Sequence, residues 1–262
     1  MKVKAYKTKK IVAGDDLFRI FEQYLPKKIK DKSVIVVSSK IVSICEGRIV
    51  KKINEKQRDE LAKKESELYL PRSANQYGYM ITVNRGILLG SGGIDQSNGN
   101  GMYVLWPKDP QKSANKIREF LIKKYKISNL GVIIADSKST PLRWGATGIA
   151  LAHSGFLALK DYVGKPDIFG RIMRAEKANV MDSLATAAVI EMGEGNEQKP
   201  LAVITEVNFV DFQKRNPTKK ELDFLKLTIK TDFYAPILTK AKWLTGGQKT
   251  KKLKQKINKK GG

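Results

Sequence analysis

One cysteine and one histidine stand in 262 residues. The single thiol, Cys45, excludes a disulfide framework and a cysteine-based zinc site. The single imidazole, His153, excludes a histidine-rich metal centre and any mechanism that needs two histidines. No apolar run of about 18 residues exists, so no helix is expected to span a bilayer. The first residues, MKVKAYKTKKIVAGDD, contain no apolar stretch of the kind a secretory signal needs. A cytoplasmic protein without a membrane partner is expected. Acids are scarce, 26 against 50 Lys and Arg, for a net charge of +24. Aromatic residues make up 8 % and do not interleave with the basic ones as a base-stacking platform would require.

What is present suffices for a packed core. Hydrophobic residues make up 41 % and charged residues 29 %, which excludes wholesale disorder. The length fits one large or two small domains. The positive charge reads either as a site for polyanions or as lysine scattered over a solvated surface. Its one concentration is at residues 248–260, rich in lysine and without an acid, which reads as a mobile basic tail.

The pattern along the chain predicts α+β architecture with mixed sheets. Residues 2–7 read as a strand. Gly14, Asp15 and Asp16 open a helix with Leu17, Ile20, Phe21 and Tyr24 on one face. Residues 33–38 (SVIVVS) and 130–135 (LGVIIA) are apolar, β-branched runs suited to buried strands. Residues 57–68 and 113–125 read as helices, and 79–84 with 87–89 as a strand pair. Residues 90–101, GSGGIDQSNGNG, are too glycine-rich for regular structure. Residues 180–192 predict a helix stopped by Gly193. Residues 201–207 predict a strand. Thr218 with Glu221 forms a capping box for a helix to about Ile229.

Three acids sit where acids are poor structural choices. Asp95 lies inside the glycine loop, Asp136 ends a buried strand in VIIADS, and Glu194 lies between two glycines after a helix C-terminus, where the helix dipole disfavours a carboxylate. Such carboxylates supply hard oxygen ligands for magnesium or manganese. The alternative is three unrelated turn acids, and spacing alone does not separate the two. The glycine loop suits a phosphate nest but lacks the P-loop signature. Lys40 after its strand, and Arg143 and Arg171 in their loops, could each hold an anion or be plain surface charge. His153 and Cys45 read as packed, inert groups.

Taken in order, GDDL (14–17), SSKIVSICEGR (38–48), GGIDQSN (92–98), PKDPQKSANKIR (107–118), VIIADS…PLRWG (132–145), SGFLALKDYVGKPDIFGR (154–171) and MGEGNE (192–197) resemble the coenzyme F420:L-glutamate ligase family from about residue 1 to 207. The resemblance implies an enzyme that uses GTP and magnesium or manganese, up to two ions, to join L-glutamate to a small-molecule acceptor carboxylate through an acyl phosphate. By the same resemblance Asp95 and Asp136 are ligands of a first metal. Ser137 and Glu194 stand where the family shows threonine and glutamine as ligands of a second. Nucleotide contacts fall on Thr8, Lys9, Lys10 and Ile11, on Ser39 and Lys40, on Asn98, and on residues 192–199 with Met192, Gly193 and Gly195. An intertwined homodimer of the family's α+β fold is implied as well.

The chain departs from the family at Ile44, where lysine is usual, and at Ser91–Gly92, where alanine–asparagine is usual. The expected organisation is a catalytic core over 1–207, a helical extension over 208–244, and a basic tail over 245–262 able to touch polyanions non-specifically. Coenzyme F420-0 is the family's acceptor. A folate or another carboxylate-bearing acceptor is the alternative within the enzyme class, and a non-catalytic nucleotide- or RNA-binding relative is the alternative outside it.

Overall fold

The computed structural model describes residues 1–248, so the lysine-rich tail lies outside the described residues from position 249 on. In chain order the elements are β1 (Lys2–Tyr6), α1 (Leu17–Tyr24), β2 (Ser33–Ser38), α2 (Ser39–Cys45), β3 (Ile49–Lys51), α3 (Glu55–Glu65), β4 (Leu68–Leu70), β5 (Ile81–Asn84), β6 (Ile87–Gly90), β7 (Met102–Val104), α4 (Pro110–Tyr125), β8 (Leu130–Ser139), β9 (Ala146–Ser154), β10 (Leu159–Asp161), β11 (Lys177–Asn179), α5 (Val180–Met192), β12 (Leu201–Thr205), α6 (Lys219–Phe224), α7 (Ala235–Leu238) and β13 (Leu244–Thr245). They form two compact units. The first comprises Met1–Arg48 and Trp106–Lys219, and the second comprises Ile49–Leu105 with the described residues from Lys220 on. Among the described residues no helix is long and apolar enough to cross a membrane.

The first unit is built on a mixed sheet in the order β1-β12-β2-β8-β9, in which only β2 and β8 run parallel. Side chains alternate across a strand, so each central strand supplies both faces. Ile35 and Val37, Val132 and Ile134, and Leu201 and Val203 pack toward α1 and α4. Val34 and Val36, Ile133 and Ala135, and Ala202 and Ile204 pack toward α5. Full burial of each Val, Leu or Ile among them contributes roughly 1.5–3 kcal/mol. Helix α1 begins where Asp16 accepts from the N–H groups of Phe18 and Arg19, and α4 where Asp109 accepts from Lys112 N.

Several elements differ from the sequence reading. Strand β8 does not end at Asp136 but runs to Ser139, because β9 pairs with it as far as Ser139↔Ala146. Helix α3 stops at Glu65 rather than 68, since Glu67 N donates to Val83 O and Leu68 pairs with Val83. Helix α6 ends at Phe224, well short of Ile229, and none of its residues is buried. Residues 91–93 form a 3₁₀ turn inside the glycine loop. The chain from 207 to 216 packs within the first unit: Val207 and Val210 are buried on the α5 side, and Arg118 Nη2 donates to Gln213 O at 3.0 Å.

The second unit has a four-stranded antiparallel sheet, β13-β4-β5-β6, and a β3–β7 ribbon. Its core is small, consisting of Ala62, Met80, Ile94, Tyr103 and Leu105. Gly246 N donates to Glu67 O at 2.9 Å, so the chain beyond 244 continues to pair there up to the last described residues.

Candidate active site

One edge of the first unit's sheet gathers most of the residues singled out from the sequence. Tyr6 pairs with Leu201, Leu201 with Val37, and Ser38 with Ala135. The residues that follow β1, β2 and β8 and those that precede β12 therefore emerge side by side. Thr8 N donates to Gln198 O at 3.0 Å, and Gln198 Nε2 donates back to Thr8 O at 2.5 Å. Ser38 N donates to Pro200 O at 2.9 Å. The expected nucleotide stretches 8–11, 39–40 and 192–199 thus lie on a common edge. Thr8 and Ser39 are buried there, and Lys9 pairs with Asp15 at 2.5 Å. The Lys9 ammonium, together with the Val12 N–H, holds the Asp15 carboxyl below its ordinary value.

Strand alternation divides the next two residues between the faces. Asp136 falls with Ile134 on the α4 side, and Ser137 with Ala135 on the α5 side. Asp136 Oδ2 accepts from Trp106 Nε1, and its Oδ1 accepts from Ser137 N at 2.9 Å. Ser137 Oγ donates to Glu194 Oε2 at 3.1 Å. Helix α5 delivers Glu194. Met192 is buried in its last turn, and Gly193 follows at φ +83, where a Cβ would stand 2.2 Å from Glu197 Cδ. Only glycine fits that turn.

Helix α5 is held tightly on β9. A Cβ at Gly148 would meet Ala185 O at 2.7 Å. Thr186 Oγ1 donates to Gly148 O at 2.7 Å, and Asp182 Oδ1 accepts from Ala150 N at 2.8 Å beside the register shift of the β8–β9 ladder. A bulge next to a site re-aims the chain around it. Sequence reasoning missed Trp106 and Asp182, because both act through partners about thirty residues away.

Asp95 and Asn98 belong to the second unit. Asp95 exchanges both backbone hydrogen bonds with Val104, and its Oδ1 accepts from Ser97 N and Oγ at 2.7 and 2.8 Å. Among the described residues no group of three or more His, Cys, Asp or Glu side chains is arranged to hold a metal ion. Ser137 and Glu194 bring a hydroxyl and a carboxylate together, and Asp136 adds a second carboxylate at the same strand end on the other face of the sheet; hard oxygens of this kind suit magnesium or manganese.

The other residues singled out from the sequence lie as follows. His153 is buried edge-on to Phe156, with ring centroids 5.2 Å apart. Burial pushes the Cys45 thiol up to about 12. Arg143 and Arg171 lie on exposed loops. Ile44 is buried in α2. An open depression beside Lys32 and Phe212 lies at the opposite end of β2 and β8. Two of its carboxylates are engaged: Asp31 accepts from Asn129 N at 2.8 Å, and Glu206 pairs with Lys2 at 2.7 Å.

The sequence model of the family described as F420-0:Gamma-glutamyl ligase matches residues 5–206. The chain is similar to the Coenzyme F420:L-glutamate ligase of Methanocaldococcus jannaschii, at 34 % identity over 212 residues, covering 76 % of this chain and 85 % of that protein. It is also similar to the proteins of the same name from Archaeoglobus fulgidus, at 31 % over 214 residues (76 % and 84 %), and Halorubrum lacusprofundi, at 30 % over 239 residues (83 % and 92 %).

Proposed function

The chain belongs to the F420-0:gamma-glutamyl ligase family, and from that premise we propose that it joins L-glutamate to a carboxylate-bearing acceptor, coenzyme F420-0 by family, using GTP and a divalent cation. The observation that carries the reading is that Asp136, the Ser137–Glu194 pair and the segments around Thr8, Gln198 and Ser39 all emerge at the same end of the sheet.

Amide formation from a carboxylate needs an activated acyl group. The acceptor carboxylate attacks the γ-phosphorus of GTP, GDP leaves, and an acyl phosphate forms. The amine of glutamate then attacks the acyl carbon, phosphate leaves, and the amide remains. Phosphoryl transfer is mostly positioning and charge neutralisation. Thr8, Lys9, Lys10 and Ile11 with Ser39, Lys40, Met192, Gly193 and Gly195 would cradle the nucleotide, with Lys9 and Lys40 as its cations. Asp136, Ser137 and Glu194 would hold magnesium or manganese, which when bound supplies charge stabilisation to phosphate oxygens. Roles for Asp95 as a ligand and Asn98 as a nucleotide contact rest on the family resemblance. Neither Cys45, kept protonated by burial, nor the packed His153 is asked to act as a nucleophile.

A homodimer belongs to the same proposal. Leu142 and Trp144, in the turn between β8 and β9, are 98 % and 94 % exposed, and Ile168 and Phe169, in the turn between β10 and β11, are 92 % and 89 % exposed. Exposed apolar pairs of this kind support an association surface. Hydroxylamine tests the chemistry: with GTP, magnesium and acceptor but no glutamate, it should trap the acyl phosphate as a hydroxamate. GDP release without hydroxamate would exclude that intermediate.

A further inference from the structure

Trp106 is 3 % exposed, and its buried indole N–H needs an acceptor. That acceptor is Asp136 Oδ2, thirty residues further along the chain. We propose that Trp106 is a positioning residue for the phosphoryl-transfer site, setting the orientation of the Asp136 carboxylate; the inference rests on the ligase reading of that site.

An aspartate carboxyl turns freely about its last torsion unless both oxygens are engaged. Here they are. Ser137 N donates to Oδ1 and Trp106 Nε1 donates to Oδ2, so the two donors define the plane of the group. The backbone donor is fixed by the β8 ladder. The indole is fixed by its own surroundings. Arg48 Nε donates to Trp106 O at 3.1 Å, and Arg48 N is itself held by Ser43 O at 2.8 Å. The segment that follows is braced by Glu46, the C-terminal cap of α2, whose Oε2 accepts from Lys108 N at 3.1 Å and whose Oε1 accepts from Ser113 Oγ at 2.5 Å. Asp109 then caps α4, with Pro110 in its first turn. Trp106 therefore sits on a platform made by the end of one helix and the start of another.

The chemistry of the side chain suits the task. An indole N–H donates only, does not titrate, and cannot itself take a cation. A histidine or lysine in that place would change charge or compete for the ion. Groups that orient a metal-binding or charge-bearing side chain typically contribute 10–100-fold to affinity or activity.

The test uses wild type, Asp136→Asn, Trp106→Phe, and a protein carrying β-(3-benzothienyl)alanine at position 106. That analogue keeps the ring shape but replaces N–H by sulfur, so it removes the hydrogen bond without opening a cavity. In 1H–15N spectra of the protein without nucleotide or metal, the indole resonance missing from Trp106→Phe should move in Asp136→Asn, while those of Trp144 and Trp243 stay in place. The benzothienyl protein should bind Mn2+, followed by the loss of its free EPR signal, about 10–100-fold more weakly. Its kcat should fall by a similar factor while KM for GTP holds within about twofold, the pattern of a lost transition-state interaction. Wild-type Mn2+ affinity and turnover in the benzothienyl protein, alongside an inactive Asp136→Asn, would overturn the positioning role. Full turnover in Asp136→Asn would remove Asp136 from the site and the positioning role with it, whereas no glutamylation by wild type would overturn the ligase reading itself, which the ligand-free indole resonance does not depend on.

Discussion

Ser137 Oγ reaches Glu194 Oε2 across 3.1 Å, joining the outer half of β8 to the turn that follows α5. The contact exists because alternation turns Ser137 toward α5 and because Gly193 stops that helix at the sheet edge. It brings together two residues fifty-seven positions apart, in the site proposed to handle the nucleotide phosphate.

Glu194→Gln tests the charge of that pair. Glutamine keeps an oxygen acceptor for Ser137 but removes a negative charge, and it is the residue the family typically shows there. Mn2+ affinity should weaken by roughly tenfold while turnover at saturating metal stays close to wild type. Loss of turnover at saturating Mn2+ would mean that the charge itself takes part in the reaction.

Gly148→Ala tests the close approach of α5 to β9. The added methyl would stand 2.7 Å from Ala185 O and 2.8 Å from Val189 Cβ. Overpacking of this kind typically costs about 1–3 kcal/mol. The urea midpoint should fall with an unchanged slope, and Mn2+ affinity should fall with it, because α5 carries Glu194. A full loss of stability with unchanged metal binding would detach the helix position from the site.

Much of the framework was legible in the chain, and the failures share a cause. Residues 33–38 and 180–192 matched their elements because apolar runs and flanking stop signals are local. The ends of α3 and β8 were misread because distant partners decide them: Val83 captures Glu67 and Leu68, and Ala146 extends β8 past Asp136. Helix α6 has a capping signature but buries no residue, and helices draw most of their stability from a packed face. The second unit interrupts the first between Arg48 and Trp106 without any change in composition to announce it. In the proposed site, Asp136 and Glu194 stood out by their contexts and Ser137 by the family resemblance. The indole that orients Asp136 could not, since nothing local to Trp106 points thirty residues ahead.

The half-buried Cys45 provides a pH test. Burial raises its thiol from the ordinary 9.0 to about 12, so the native protein binds that proton more tightly than the unfolded chain. The associated stability is fully present below pH 9 and is lost as pH rises toward 12. Ellman's reagent at pH 8 should leave the native protein unlabelled and react once per chain in urea. Cys45→Ala should keep ligase turnover and flatten the stability loss above pH 9. Rapid labelling of the native thiol would contradict the burial.

Association should depend on the exposed turns. Replacing Trp144 and Phe169 together by serine should convert a dimer into a monomer in sedimentation velocity without lowering the melting temperature of the monomer. A monomeric wild type would remove the dimer from the proposal.

The central claim is tested by product formation. The purified protein is incubated with GTP, magnesium, L-glutamate and coenzyme F420-0, and the acceptor is followed by mass spectrometry. The expected result is an acceptor heavier by one glutamyl residue, with one GDP and one phosphate released per bond. Each component should be required, and Asp136→Asn should lower the rate by about a thousandfold or more, equivalent to roughly 4 kcal/mol of lost transition-state stabilisation. Glutamylation that continues unchanged in Asp136→Asn, or GTP consumption that never yields a glutamylated acceptor, would contradict the account.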